Sequence, residues 1–216
     1  MLARILALIL VASLALPLAS GTPLEAKSKK KTVTRTFPNA SFIAIPGTGP
    51  ANPYPATIQV TGLKKGKILD LNVFLNNFTH PVPDDVDILL AAAHLPGSNA
   101  IIMSDVGAAI PVAGVNLVLD DQAGSPLPDA GPLVSGTFLP TNASGSLDDF
   151  PAPAPVPSGN SALSVFNGQK ANGQWQLFIN DFPGNGDGSF AGGWQLQVEA
   201  KVKVKDKKKG GKGKGK

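Results

Sequence analysis

Hydrophobic and polar residues alternate most clearly around the two tryptophans of the chain. The apolar positions are Trp175, Leu177 and Ile179 in the first segment and Trp194, Leu196 and Val198 in the second. A period of two residues is typical of a strand with one buried face. Residues 180–193, between the two segments, contain five glycines, which neither a helix nor a strand tolerates. We therefore predict two strands of an antiparallel sheet, joined by a long loop.

Shorter apolar segments predict further strands elsewhere in the chain. They lie at residues 42–45, 58–60, 69–75, 86–93, 100–103, 115–119, 133–138 and 162–166. Clusters of Pro, Gly, Ser and Asn separate them, as at residues 96–99 and 123–128. About eight short strands with such turns predict an all-β protein, a jelly-roll-like antiparallel β-sandwich. The proline-rich residues 151–157 are expected to cross its surface in an extended conformation.

The two ends of the chain differ from its centre in composition. Residues 1–21 contain Arg4, an apolar stretch and then small residues, which is the order of a cleaved secretory signal peptide. The alternative is a membrane anchor, for which the apolar stretch is short. We predict a basic linker at residues 22–50, the sandwich at residues 51–204 and a disordered Lys/Gly tail at residues 205–216. The protein is expected to be secreted or associated with the cell envelope.

The formal net charge of +4 conceals an acidic centre between basic ends. Residues 37–200 carry four lysines and 13 acidic residues, or −9, and the rest carries 15 basic and two acidic residues, or +13. The lysine tail is expected to bind an anionic surface or wall polymer. No specific nucleic-acid partner is expected, because aromatic residues do not accompany the lysines. The chain has no cysteine, which excludes disulfides and thiolate chemistry.

Aspartates at the predicted turns are candidate calcium ligands. They are Asp84, Asp85, Asp87 and Asp105 in one group and Asp181 and Asp187 in a second, glycine-rich group. Calcium takes six to eight oxygen ligands, which carboxylates supply. The alternative is that these aspartates only cap turns in solvent. Calcium is the one cofactor that we predict.

Several residues also carry a resemblance to a known family. In chain order they are His80, Asp87, Pro96, Gly97, Ser98, Gly173, Trp175, Asp181, Gly188 and Trp194. Over about residues 57–200 their order and spacing resemble the P domain (P/Homo B domain) of proprotein convertases, the kexin- and furin-like subtilases, in its bacterial form. The resemblance implies a jelly-roll sandwich and supports calcium binding. It also implies structural roles for His80, Asp87, Gly97, Gly173, Trp175, Asp181 and Trp194.

The protease that P domains accompany is missing from this sequence. A subtilisin-like enzyme needs a His-Gly pair and a Gly-Thr-Ser segment, and neither occurs around His80, His94 or elsewhere. We therefore expect a non-catalytic module that acts in stabilisation, protein interaction or surface association. The first alternative is an accessory subunit of a separately encoded subtilisin-like serine protease. The second is an unrecognised hydrolase.

Overall fold

The computed structural model describes residues 29–182 and 186–204, in which thirteen strands, numbered in chain order, form two sheets. The first sheet contains β1 (Lys30–Asn39), β2 (Ile43–Ile45), β5 (Lys67–His80), β8 (Val112–Asp120), β9 (Gly136–Phe138), β12 (Gly188–Phe190) and β13 (Trp194–Lys203). The second contains β3 (Gly49–Pro50), β4 (Ala56–Val60), β6 (Val86–Ala92), β7 (Asn99–Ser104), β10 (Thr141–Asn142) and β11 (Gly173–Asp181). The predicted signal peptide and the predicted lysine tail lie outside the described residues.

The long strand β5 organises the first sheet. It pairs with β13 and then β12 along one edge and with β8 along the other, and β1 pairs with the outer edge of β13. In the second sheet the order is β10, β7, β6, β11, with β3 and β4 on the far edge of β11. Most neighbours are antiparallel, and β7–β10 and β8–β9 are parallel. The predicted all-β sandwich is confirmed, with additional strands of two or three residues that are too short to leave a periodic pattern.

The main core lies between the two sheets and contains both tryptophans. Trp175 and Trp194 have no exposed surface, as the alternation predicts. The Trp175 ring packs edge-on against Phe166, with 4.9 Å between ring centroids. Its indole N–H donates to the carbonyl oxygen of Ala171 at 3.2 Å. These contacts fix the start of β11 in the interior.

A second apolar cluster covers the outer face of the second sheet. Leu89, Ile101 and Phe178 of that sheet pack there with Phe150 of the long loop before β11. The proline-rich residues 151–157 follow Phe150 and contain no strand. The Tyr54 hydroxyl donates to the carbonyl oxygen of Pro151 at 2.9 Å. Phe150 therefore anchors the loop on the sheet.

The predicted linker at residues 22–50 is wrong for most of its described part, because that part contains β1, β2 and β3. In β1, Val33 and Phe37 pack against the main core while most other side chains are exposed. Threonine favours strands, and lysine at a sheet edge discourages pairing with another molecule. The composition that we interpreted as a basic linker is thus that of an edge strand, and the sandwich begins at Lys30.

Residues 162–166, predicted as a strand, instead contain the 3₁₀ helix Leu163–Phe166. The Asp121 carboxylate accepts hydrogen bonds from the backbone N–H groups of Leu163 and Ser164, at 2.9 and 2.6 Å, which favours a turn here. The other described helix is the 3₁₀ helix Pro83–Asp85. Among the described residues, no helix has the length and apolar character needed to cross a membrane.

Leu69, the first residue of the apolar segment 69–75 that we predicted as a strand, is 40% exposed, whereas Ile68 is buried. The cause is an irregular register opposite Glu199 and Ala200, where the chain of β5 contains one extra residue. Such a bulge reverses the side-chain alternation beyond it.

Candidate functional site

Two neighbouring residues at the end of β11, Asn180 and Asp181, serve opposite faces of the second sheet. Asn180 is the cross-strand partner of Asp87, on the face that also presents Leu89 and Phe178 outward. Asp181 lies on the inner face with Ile179, because side chains alternate along a strand. This end of the sandwich thus has two polar regions. One is a pair of side chains between the sheets, and the other is a pocket on the outer face of the second sheet.

The pair between the sheets consists of His80 and Asp181. The His80 Nε2 atom lies 3.3 Å from Oδ2 of Asp181, and both side chains are buried. The other ring nitrogen, Nδ1, lies 2.8 Å from the carbonyl oxygen of Val82 and can donate to it. A Cβ atom at Gly188 would collide with the His80 ring, so only glycine fits there.

Burial is the main cause that raises the pKa of Asp181. His80 lowers this pKa through its charge and its hydrogen bond, and the negative charges of Asp85 and Asp187 raise it. Asp187 also has a role of its own, because its Oδ1 atom accepts a hydrogen bond from the Gly47 N–H at 2.7 Å. Of the second predicted calcium group, Asp187 is therefore engaged with Gly47. Asp181 contacts His80 through Oδ2, and its buried Oδ1 atom has no hydrogen-bond partner among the described residues.

The outer pocket, which we call the acidic pocket, has a volume of about 500 Å³. Its polar lining includes Asp87, Asp105, Asp148, Asp149 and Asn180, and Phe182 lies at its edge. These residues come from the start of β6, the end of β7, the loop before Phe150 and the end of β11. Four carboxylates thus meet at one end of the second sheet.

Serine hydroxyls orient two of these carboxylates. Asp105 has a left-handed backbone, with φ of 54°, and its Oδ2 atom accepts hydrogen bonds from Ser104 and Ser144 at 2.9 and 2.6 Å. The Ser146 hydroxyl donates to Oδ1 of Asp148 at 3.0 Å. The loop at residues 144–148 is therefore tied to the pocket through its serines.

Two buried oxygen atoms at the acidic pocket have no hydrogen-bond partner among the described residues: Oδ1 of Asn180 and Oδ2 of Asp148. Asn180 is only 6% exposed. Its Nδ2 atom donates to the carbonyl oxygen of Asp149 at 3.2 Å, which holds the side chain beside the carboxylates. Buried acceptors without a donor are rare and costly, so we expect a water molecule or a cation beside these two atoms.

The carboxylates of this region also repel one another. Burial, with the nearby charge of Asp148, raises the pKa of Asp87 to about 8, and the charges of Asp105 and Asp181 add to this. A hydrogen bond from Ser104 acts in the opposite direction. This end of the protein therefore has a strongly negative potential, which favours protons or a cation.

The donor types of the acidic pocket suit calcium, although its carboxylates are not gathered into a compact group. Within residues 29–182 and 186–204, no three His, Asp or Glu side chains are close enough to hold a metal ion by themselves. Calcium also accepts amide, carbonyl and water oxygens. The free oxygen of Asn180 and the carboxylates of Asp87, Asp105 and Asp148 are donors of this kind.

All six aspartates that we predicted as calcium ligands lie at this end of the sandwich. Asp87 and Asp105 line the acidic pocket. Asp84 and Asp85 belong to the 3₁₀ helix before β6, and burial followed by the charges of Asp105, Asp85 and Asp129 raises the pKa of Asp84. Sequence reasoning did not select Asp148 and Asp149, which are distant in sequence from the other ligands. The only feature of the local sequence that pointed to a fixed position for Asp148 and Asp149 was Phe150, an apolar residue able to anchor their loop.

Most of the residues that carry the family resemblance lie in a buried polar pair, in the main core and at glycine positions that disfavour a larger side chain. His80 and Asp181 form the pair between the sheets, and the two tryptophans fill the core. Gly97 adopts a left-handed turn, with φ of 81°. A Cβ atom at Gly173 would collide with the His94 ring.

The two ring nitrogens of His94 face backbone carbonyl oxygens. Nδ1 lies 3.2 Å from the oxygen of Gln174, and Nε2 lies 3.0 Å from the oxygen of Lys170. Among the described residues, no hydrogen bond joins a histidine to a serine hydroxyl. Neither histidine is thus arranged to activate a serine.

In architecture the chain is an all-β sandwich with an acidic pocket at one end. No protein family matches the chain, and no significant match was found among characterised proteins or solved structures. The resemblance to convertase P domains therefore rests on the residues and spacings quoted above.

Proposed function

We propose that the protein is an exported, non-catalytic β-sandwich module, similar in role to a convertase P domain, that binds calcium in its acidic pocket. The observation that carries this proposal is the pair of buried, unpartnered oxygens on Asn180 and Asp148. They belong to residues in the lining of a pocket that already holds mutually repelling carboxylates. A divalent cation provides a partner for both oxygens and neutralises part of the charge.

The residues that would hold the ion are Asp87, Asp105, Asp148 and Asn180. They belong to three strand ends and one loop, so a shared ligand would tie these segments together. A chain without cysteine has no disulfide to do this. Calcium is favoured over magnesium, because magnesium demands strict octahedral geometry and resists dehydration.

The positions of the two histidines support a non-catalytic role. His80 is buried against Asp181 and Val82, and His94 faces two carbonyl oxygens. A serine nucleophile needs an imidazole within hydrogen-bonding distance of its hydroxyl. The described histidines are instead arranged as structural groups that hold the two sheets and the start of β11.

Protein interaction at the acidic end is the role that we assign to the module. Phe182, at the edge of the acidic pocket, is 72% exposed, and exposed aromatic residues are enriched in protein interfaces. By the family resemblance, a subtilisin-like protease encoded elsewhere is the partner to test first. Export is supported by the sequence of residues 1–21, and N-terminal sequencing of the secreted protein tests it.

The experiment that tests calcium binding is thermal unfolding of the mature protein with calcium, with magnesium and with a chelator. A hundredfold excess of calcium over Kd should add about 2.7 kcal/mol to the free energy of unfolding, which raises Tm by about 5–11 °C. Asp148→Asn should abolish this shift. Glu199→Gln removes one negative charge from a residue outside the pocket and should retain it. A Tm that is indifferent to calcium and chelator would refute the proposal.

A further inference from the structure

The end of the sandwich opposite the acidic pocket carries a second pocket, which is basic. The strand β11 connects the two ends, with Lys170 just before it and Asn180 near its end. Its eight residue steps separate the ends by about 27 Å. The second pocket has a volume of about 450 Å³, and its lysines are Lys30, Lys65, Lys67, Lys170, Lys201 and Lys203. We call it the lysine pocket.

Strand pairing forces these lysines together. Lys30 on β1 is the cross-strand partner of Lys203 on β13. Lys67 on β5 is the partner of Lys201 on β13, and it forms a further isolated bridge with Lys170. Like charges directly opposite one another destabilise a sheet, so this arrangement carries a cost.

Carboxylates of the folded domain do not relieve this repulsion. None of the six lysines forms a salt bridge with a described residue. The nearest acidic residues along the strands, Glu199 on β13 and Asp70 on β5, are cross-strand partners of each other. The lysine pocket therefore presents six cationic groups that an external anion can neutralise.

We propose that the lysine pocket is a binding site for a linear polymer with repeated anionic groups, either phosphate or carboxylate. The buried Leu63 and Gly66 form part of its lining, and the lysine stems can cover apolar surface while the ammonium groups stay in water. A concave site with lysines from several strands fits a narrow chain that lies in it. It fits a flat membrane surface less well.

One feature of the lining favours such a polymer over nucleic acid. The lining of the lysine pocket contains no aromatic residue, and aromatic residues are what single-stranded nucleic acids stack on. The strand β1 also begins, and β13 ends, at this pocket. The sequence continues there with Lys27 and Lys29 on one side and with seven lysines in residues 205–216 on the other. The lysine pocket thus lies where the two basic segments of the sequence join β1 and β13.

Binding at the lysine pocket leaves the acidic pocket and Phe182 free, because these lie at the other end of β11. The polymer would hold the protein in place while the acidic end faces a protein partner. This inference goes beyond the proposed function and does not depend on calcium, because the two sites share no residue.

The test measures binding of the full mature chain to linear polyphosphate and to polygalacturonate as a function of salt. With about six charges neutralised, the logarithm of affinity should fall with a slope of about −4 against the logarithm of salt concentration. This corresponds to about a 300-fold loss between about 50 and 200 mM salt. The better-bound polymer identifies phosphate or carboxylate as the preferred group.

A matched pair of variants separates the lysine pocket from the tail. The pocket variant carries Lys67→Gln, Lys170→Gln and Lys201→Gln, and the tail variant carries Lys207→Gln, Lys208→Gln and Lys209→Gln. Both remove three charges, and a Tm no lower than that of the wild-type protein verifies folding. The pocket variant should reduce the salt slope by about 2. The tail variant should reduce it less, because the strand-held lysines of the pocket are already positioned and need no ordering when the polymer binds.

Three results would overturn the proposal. The first is an equal or larger loss in the tail variant. The second is tighter binding to single-stranded DNA, or to vesicles of anionic lipid, than to both polymers. The third is binding to none of these probes at low salt.

Discussion

The imidazole of His80 and the carboxylate of Asp181 join the two sheets through a buried contact of 3.3 Å. His80 ends β5 in the first sheet, and Asp181 ends β11 in the second. Both residues belong to the pattern that resembles a convertase P domain. Their contact gives a structural reason for a histidine in a chain without a serine nucleophile motif.

The first prediction concerns this pair. His80→Leu should lower the free energy of unfolding by about 3–5 kcal/mol, because it leaves Asp181 buried without its partner. The double variant His80→Leu/Asp181→Leu should lose less than the sum of the two single losses. Urea unfolding measures all three. Additivity within about 0.5 kcal/mol would mean that the two side chains do not interact.

The second prediction concerns the two core tryptophans. Trp175→Ala and Trp194→Ala should each cost about 3–5 kcal/mol, since each leaves a cavity between the sheets. Gln195→Ala, on the outward face of β13, should cost no more than about 0.5 kcal/mol. Denaturant unfolding provides the comparison. Three equally small losses would be incompatible with the observed burial.

The third prediction is a pH dependence that originates at Asp87. The folded protein holds a proton on Asp87 up to about pH 8, whereas the unfolded chain releases it near pH 4. The stabilising contribution is therefore complete below about pH 4 and is lost as the pH rises toward 8. In chelator, the wild-type protein should lose stability over this range relative to Asp87→Asn.

The comparison of the wild-type protein with Asp87→Asn contains its own control. Burial also raises the pKa values of Asp70, Asp84 and Asp181, but these groups are present in both proteins. Only the difference between the two unfolding curves reports on Asp87. A difference that does not change between about pH 5 and pH 9 would contradict the assignment.

The fourth prediction is that the mature protein cleaves no peptide, including substrates with dibasic sites. Its physical basis is the position of His80 and His94, whose ring nitrogens lie against carbonyl and carboxylate oxygens. Peptidase assays and a fluorophosphonate probe provide the measurement. Labelling of a serine that is lost in His80→Gln or His94→Gln would show a catalytic site that this account lacks.

The parts of the fold that the sequence predicts are those with local periodicity. Trp175 and Trp194 reveal their buried face because each strand alternates over several residues. The exposure of Leu69 does not follow from its own segment, because one extra residue in β5 reverses the alternation, and that register is set by β13. The edge strand β1 was missed because its lysines have the composition of a disordered segment.

The candidate sites were predictable only in part, for a physical reason. Asp84, Asp85 and Asp87 are close in sequence, so their proximity required no knowledge of the fold. Asp148 reaches the same pocket only because Phe150 anchors its loop on the outer face of the second sheet. The lysine pocket likewise depends on pairing among β1, β5 and β13, which the sequence of each strand does not specify.

The most direct test of the account is a crystal structure of the mature protein grown with calcium. We expect one calcium ion in the acidic pocket, about 2.3–2.6 Å from oxygen atoms of Asn180, Asp148 and Asp87 or Asp105. The same crystals of Asp148→Asn should lack the ion. A wild-type structure that holds calcium elsewhere, or only water in the acidic pocket at saturating calcium, would contradict calcium binding at this site.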